Sequence, residues 1–182
     1  PGDDIYRIYT TILGGSDHEA RRVVVEDLVS TSPLAPTAYI LLKQAKDLDP
    51  ASKVLVLRGL LQADMSNPVQ FQEMLGLANR LLAEPDGPPA GRVLAELVQF
   101  SESQPEPGML LVGAVQFEQI PNSRRDSAIT FIVEGAGDSP LVAAWLDQHL
   151  IGSTDPDLVH RTLEIIVDAG PVAMGPVVSA ML

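Results

Sequence analysis

The chain contains no cysteine in 182 residues. That excludes a disulfide framework, thiolate metal ligation and a cysteine nucleophile. Aromatic residues are scarce, 4% of the chain against 46% hydrophobic overall. The core must therefore be aliphatic, and a β-sandwich or barrel would ordinarily use more aromatics, so the balance leans towards helices. Basic residues are also few: 12 Lys and Arg face 24 Asp and Glu, a formal charge of −12. Such a chain repels phosphate, which disfavours nucleic acid and anionic membrane surfaces as partners. Arg21-Arg22 and Arg124-Arg125 are the only basic pairs. No apolar run approaches the roughly 20 residues of a membrane span, so membrane insertion is not expected. No signal peptide is visible and a cytoplasmic location is expected. The sequence opens on Pro1 and closes on the apolar run Val177 to Leu182, which reads as a piece of a longer protein.

What is present is helical grammar. Asp155 to Leu182 reads as two antiparallel helices with a Gly-Pro corner. In the first, Asp157, His160, Arg161, Glu164 and Asp168 fall on one face. Leu158, Val159, Thr162, Leu163, Ile165, Ile166 and Ala169 fall on the other, as an apolar stripe at helical period. Asp155 suits the cap, Pro156 the first helical position and Gly170 the stop.

The same punctuation recurs from the start of the chain. Asp3–Leu13 predicts a first helix, with Ile5, Ile8, Tyr9 and Ile12 on one face and Gly14-Gly15 after it. Ser16 to Glu19 reads as a capping box for a second helix to about Val29. Helices are expected over about Pro36–Leu48, from Asp49-Pro50 to about Asp64, and from Asn67-Pro68 to about Ala83. The Glu84–Gly91 stretch, with three prolines and two glycines, is the strongest break. It divides the chain into lobes 1–86 and 87–182, or interrupts one continuous domain. Beyond it, helices are expected at about Arg92–Phe100 and Met109–Gln119. Another is boxed by Ser123 and Asp126, and one more opens at Ser139-Pro140. The β-branched runs Val23–Val25 and Lys53–Leu57 are ambiguous with strands.

Ile132-Val133 and Ala136-Gly137 match Ile165-Ile166 and Ala169-Gly170 at an offset of 33 residues. In each copy a helix, a Gly stop and a Pro restart follow in order, as in stacked helical hairpins. Over residues 121–182 the pattern resembles the HEAT/armadillo class of α-helical repeats. The resemblance rests on Asp155-Pro156, the apolar Leu158, Leu163 and Ile166, then Gly170 and the second helix Pro171–Leu182. It implies an α-solenoid and a protein-binding role; the Asp or Arg usual in the second helix of that class is not evident, so no functional residue is carried over.

A search for chemistry returns little. The histidines His18, His149 and His160 lack the spacing by which one helix supplies two metal ligands, although His149 and His160 could meet near Asp155 or Asp157. The acidic pairs Asp3-Asp4, Asp47/Asp49 and Asp155/Asp157 form no calcium loop and read as helix caps. No phosphate loop, nucleophile elbow or serine triad frame is present, and no cofactor is expected. Gly135–Gly137 after Phe131–Val133 permits an alternative α/β small-ligand or enzymatic fold, with strands at Val54–Leu57, Leu110–Val115, Ile129–Val133 and Leu163–Val167.

The fold expected is all-α, about eleven short helices in stacked antiparallel hairpins, as a HEAT/armadillo-like solenoid or a two-lobed helical bundle. The function expected is a non-enzymatic adaptor or scaffold binding another protein or the rest of its parent chain. A structural self-assembly domain is the other non-enzymatic alternative. Trp145 is the one tryptophan, with Gln148 and His149 beside it on an expected helix; on that apolar helix it reads as core, or alternatively as a candidate binding anchor. Tyr6 and Tyr9, three apart on the first helix, are the second candidate pair.

Overall fold

A computed structural model describes residues 3–30, 36–45, 48–62, 67–106, 114–115, 119–135 and 151–169. The protein is all-α: these residues hold eight helices and no strand. The helices are α1 (Asp3–Leu13), α2 (His18–Ser30), α3 (Pro36–Gln44), α4 (Pro50–Leu60), α5 (Pro68–Ala83), α6 (Ala90–Ser103), α7 (Asn122–Gly135) and α8 (Pro156–Ala169). About eleven were expected from the punctuation. The remaining three, at Met109–Gln119, after Ser139-Pro140 and at Pro171–Leu182, fall wholly or largely outside the described residues.

The strand-like segments are helical. Val23–Val25 lies in α2, Val54–Leu57 in α4, Ile129–Val133 in α7 and Leu163–Val167 in α8. This removes the α/β alternative at those positions; Leu110–Val115 is largely outside the described residues. The local reason is capping, which sets a helical phase that β-branched side chains then follow at modest cost. The Asp49 carboxylate accepts from the Ala51 and Ser52 amides at 3.0 and 3.1 Å, and Pro50 occupies the first turn. Asn67 Oδ1 accepts from the Val69 amide at 3.0 Å ahead of α5. Asp155 Oδ1 accepts from the Asp157 and Leu158 amides at 3.0 and 3.3 Å ahead of α8.

Two caps differ from expectation. At α2 it is Asp17, not Ser16, whose side chain accepts from the Glu19 and Ala20 amides, both at 3.1 Å. Glu19 turns instead to Arg22, at 2.5 Å. A carboxylate at the positive end of a helix is held by charge as well as by hydrogen bonds, which a serine hydroxyl cannot match. At α7 the Pro121 carbonyl accepts from the Arg124 and Arg125 amides at 2.8 and 3.0 Å. Asp126 is not part of a box; its carboxylate accepts from Arg161.

The chain forms two compact units, Pro1–Leu77 and Ala78–Leu182, with the division inside α5. The Glu84–Gly91 break expected between lobes 1–86 and 87–182 belongs to the second unit. In the first unit α2, α3 and α4 pack on one another, and α1 lies on α2 and α3. Its core is aliphatic: Val25, Leu28, Leu42, Val54, Leu57, Leu60 and Met74 are buried. In the second unit α7 packs against both α6 and α8. There Val93, Leu94, Leu97, Phe100, Ile129, Leu158 and Ile166 are buried. Among the described residues no helix is long and apolar enough to cross a membrane.

Candidate functional site

Trp145, Gln148 and His149 lie outside the described residues. Tyr6 and Tyr9 are both half-buried on α1. The Tyr9 hydroxyl donates to the Asp27 carboxylate on α2, and this bond raises the phenol pKa above its ordinary value. Tyr9 therefore braces α1 against α2. The apolar face expected of α1 is only partly used: Tyr9 and Ile12 are half-buried, while Ile5 and Ile8 are 39% and 55% exposed; Leu13, outside that face, is buried.

Three polar constellations, none of them evident in the sequence, join helices within a unit. In the first unit the Tyr39 hydroxyl donates to Glu73 Oε2 at 2.6 Å, and Lys43 Nζ to Glu73 Oε1 at 2.5 Å, joining α3 to α5. Lys43 also sits 5.4 Å from the Tyr39 ring centroid. The Lys43 ammonium, then the Tyr39 hydroxyl, hold the Glu73 carboxyl below its usual range. Burial and the bond to Glu73 push the Tyr39 phenol well above its own.

In the second unit the Arg124 guanidinium donates to four backbone carbonyls. Leu81 and Leu82 accept at 3.1 and 3.0 Å, and Glu84 and Pro88 are the other two. These are the carbonyls left without intrahelical partners at the end of α5, together with the loop after it. The third constellation joins α7 to α8. Arg161 donates to both oxygens of Asp126 at 2.8–3.2 Å and to Glu164 at 2.8 Å. His160 Nε2 lies 3.5 Å from Glu164 Oε1. Arg161 holds both carboxyls below their usual range. These are charge pairs at a helix contact.

In the first unit a cavity of about 300 Å³ opens between the end of α1 and helices α2 and α3, with Thr10, Arg21 and Gln44 in its wall. In the second unit a shallow depression of about 390 Å³ runs along α8, lined by His160, Arg161, Leu163, Glu164, Val167 and Asp168. Among the described residues no three His, Asp or Glu side chains gather as metal ligands would.

The α8 depression corrects one sequence expectation. Leu158, Thr162 and Ile166 are buried as expected, but Leu163, expected on the same face, is 39% exposed; Val167, in neither expected face, is 68% exposed. The buried stripe follows the steps 158, 162 and 166, narrower than the seven residues expected. Leu163 and Val167, one turn apart, stand on its shoulder, next to the polar face formed by His160, Arg161 and Glu164. Leu163 and Val167 fall with His160 and Glu164 at helical spacing, whereas the periodicity sets Leu163 with the opposite, apolar face. Such a surface offers apolar contact bordered by charge. Compared with models of protein families, with curated proteins and with solved structures, the chain finds no match.

Proposed function

We propose that this chain is a non-enzymatic protein-interaction module: an adaptor or scaffold of stacked antiparallel helical hairpins of the HEAT/armadillo kind, engaging another protein through the shoulder of α8. The carrying observation is the pair Leu163 and Val167, exposed one turn apart in a single depression. Singly exposed aliphatics such as Val23, Ile40 and Val69 are ordinary on any protein surface. Two adjacent ones at helical spacing form the kind of anchor that helix-recognising surfaces use. Ile5 and Ile8, beside Tyr6 and Tyr9 on α1, offer a second pair in the first unit. The acidic balance of the chain argues against nucleic acid as the partner.

The test is a photo-crosslinking residue placed at position 163, with the same residue at position 69 as a control. Discrete adducts with another protein are expected from position 163, lost when Val167→Asn is added. Equal or absent labelling from the two positions would remove α8 as the engaged surface.

A further inference from the structure

We infer that the α8 shoulder takes a basic amphipathic helix of a partner protein, its apolar side chains on Leu163 and Val167 and its lysines or arginines on the carboxylates around them. The inference rests on the reading of α8 as a partner surface and adds the chemistry of what covers it. Leu163 and Val167 supply the apolar contact, being 39% and 68% exposed within the same depression. Their spacing of one turn suits a helix that presents its own anchors every three or four residues.

The charge around the pair decides the occupant. Arg161 is the one permanent cation among the described residues of the lining, and it is already committed. Its guanidinium bonds Asp126 at 2.8 Å and Glu164 at 2.8 Å. Two carboxylates thus share one guanidinium, and Asp168, exposed at the end of the depression, forms no ion pair among the described residues. The border is left with excess negative charge. A second copy of this chain would bring the same acidic border and a formal charge of −12 against another −12. An anionic lipid or nucleic acid would meet the same repulsion. A helix carrying lysines or arginines meets attraction, and their long aliphatic stems can lie over Val167 while the charged ends reach Asp168 and Glu164.

The experiment titrates the whole chain with three fluorescent synthetic helices. All share one Leu/Ile stripe, and their polar faces are Lys, Gln or Glu. The Lys helix is expected to bind about tenfold tighter than the Gln helix at low salt, with the advantage shrinking as salt screens it. Asp168→Asn with Glu164→Gln should remove most of that tenfold and leave the Gln helix unchanged. Leu163→Asn with Val167→Asn keeps the charge and should abolish binding of both; circular dichroism confirms that the variant still folds. Equal binding of Lys and Gln helices overturns the charge assignment while keeping α8 as a binding surface. Lys-helix binding that survives the double Asn variant is nonspecific attraction and overturns the inference. A concentration-dependent dimer abolished by the double Asn variant makes a second copy the occupant and overturns it too. If no helix binds and crosslinking from position 163 is also silent, the reading of α8 as a partner surface falls with it.

Discussion

In the second unit one side chain, Arg124, gathers four backbone carbonyls. Arg124 spans 36 to 43 residues of sequence to reach the carbonyls of Leu81, Leu82, Glu84 and Pro88. It closes the open end of α5 and fixes the proline-rich turn that follows. Burial lowers its pKa, opposed by the Glu84 carboxylate, yet a guanidinium stays charged throughout the ordinary range. Removing it leaves several partly buried carbonyls without a donor. Arg124→Met should therefore cost about 2–4 kcal/mol, read from the denaturant midpoint. Arg124→Lys should recover only part of this, because a point ammonium cannot present the flat five-donor fork. A loss near zero would mean that water replaces the side chain. In the sequence Arg124 is visible only as half of a basic pair, since its partners are backbone atoms with no residue signature.

At the scale of elements, helix existence was the easiest feature to read and helix facing the hardest. Asp49, Asn67 and Asp155 before prolines marked the starts of α4, α5 and α8, and each caps in the structure. Capping is local, within three residues, so it survives without knowledge of the fold. Facing depends on neighbours: α1 and α8 carry wider apolar stripes than their contacts cover. One close helix contact is hidden in a glycine. A Cβ on Gly59 would stand 2.7 Å from Val29 Cγ2 and 3.1 Å from Leu42 Cδ1, so α4 meets α2 and α3 there without a side chain between them. The Val29 side chain is branched at Cβ and cannot swing clear easily. Gly59→Ala, which raises helix propensity, should nevertheless destabilise by about 1–3 kcal/mol through overpacking. Thermal unfolding decides it, and a raised midpoint would show that the three helices can spread.

For the whole molecule, acidity sets two opposing effects. Asp49, Glu73, Asp126 and Glu164 all have pKa values held below the usual carboxylate range. At Asp49, burial acts upward and is outweighed by the Ser52 hydroxyl and the amides that it caps. A depressed carboxyl contributes stability above its unfolded pKa, near 4 as an order of magnitude, and loses it as pH falls through its lower folded value. Against this, protonating the many solvent-facing carboxylates relieves the repulsion of a −12 chain. Stability should therefore hold or rise from pH 7 to about 5 and fall below about 4. Glu73→Gln should flatten part of the acid limb, measured by denaturant unfolding across pH. A monotonic fall from pH 7 downward would show that the paired carboxylates outweigh the net charge throughout.

The sequence by itself determined that this chain is helical and aliphatic, where its helices begin, and which side chains form the polar face of α8. These follow from capping, from period and from a lack of aromatics, all of which act within a few residues or through composition. Only the tertiary structure decided that Tyr39 and Lys43 of α3 meet Glu73 of α5. It also decided that Arg124 holds the end of α5, and that Leu163 and Val167 face water while Leu158 and Ile166 do not. The physical reason is the same in each case: burial and long-range hydrogen bonds depend on which surfaces meet. A helical stripe states what could be buried, and only a neighbour determines how much of it is.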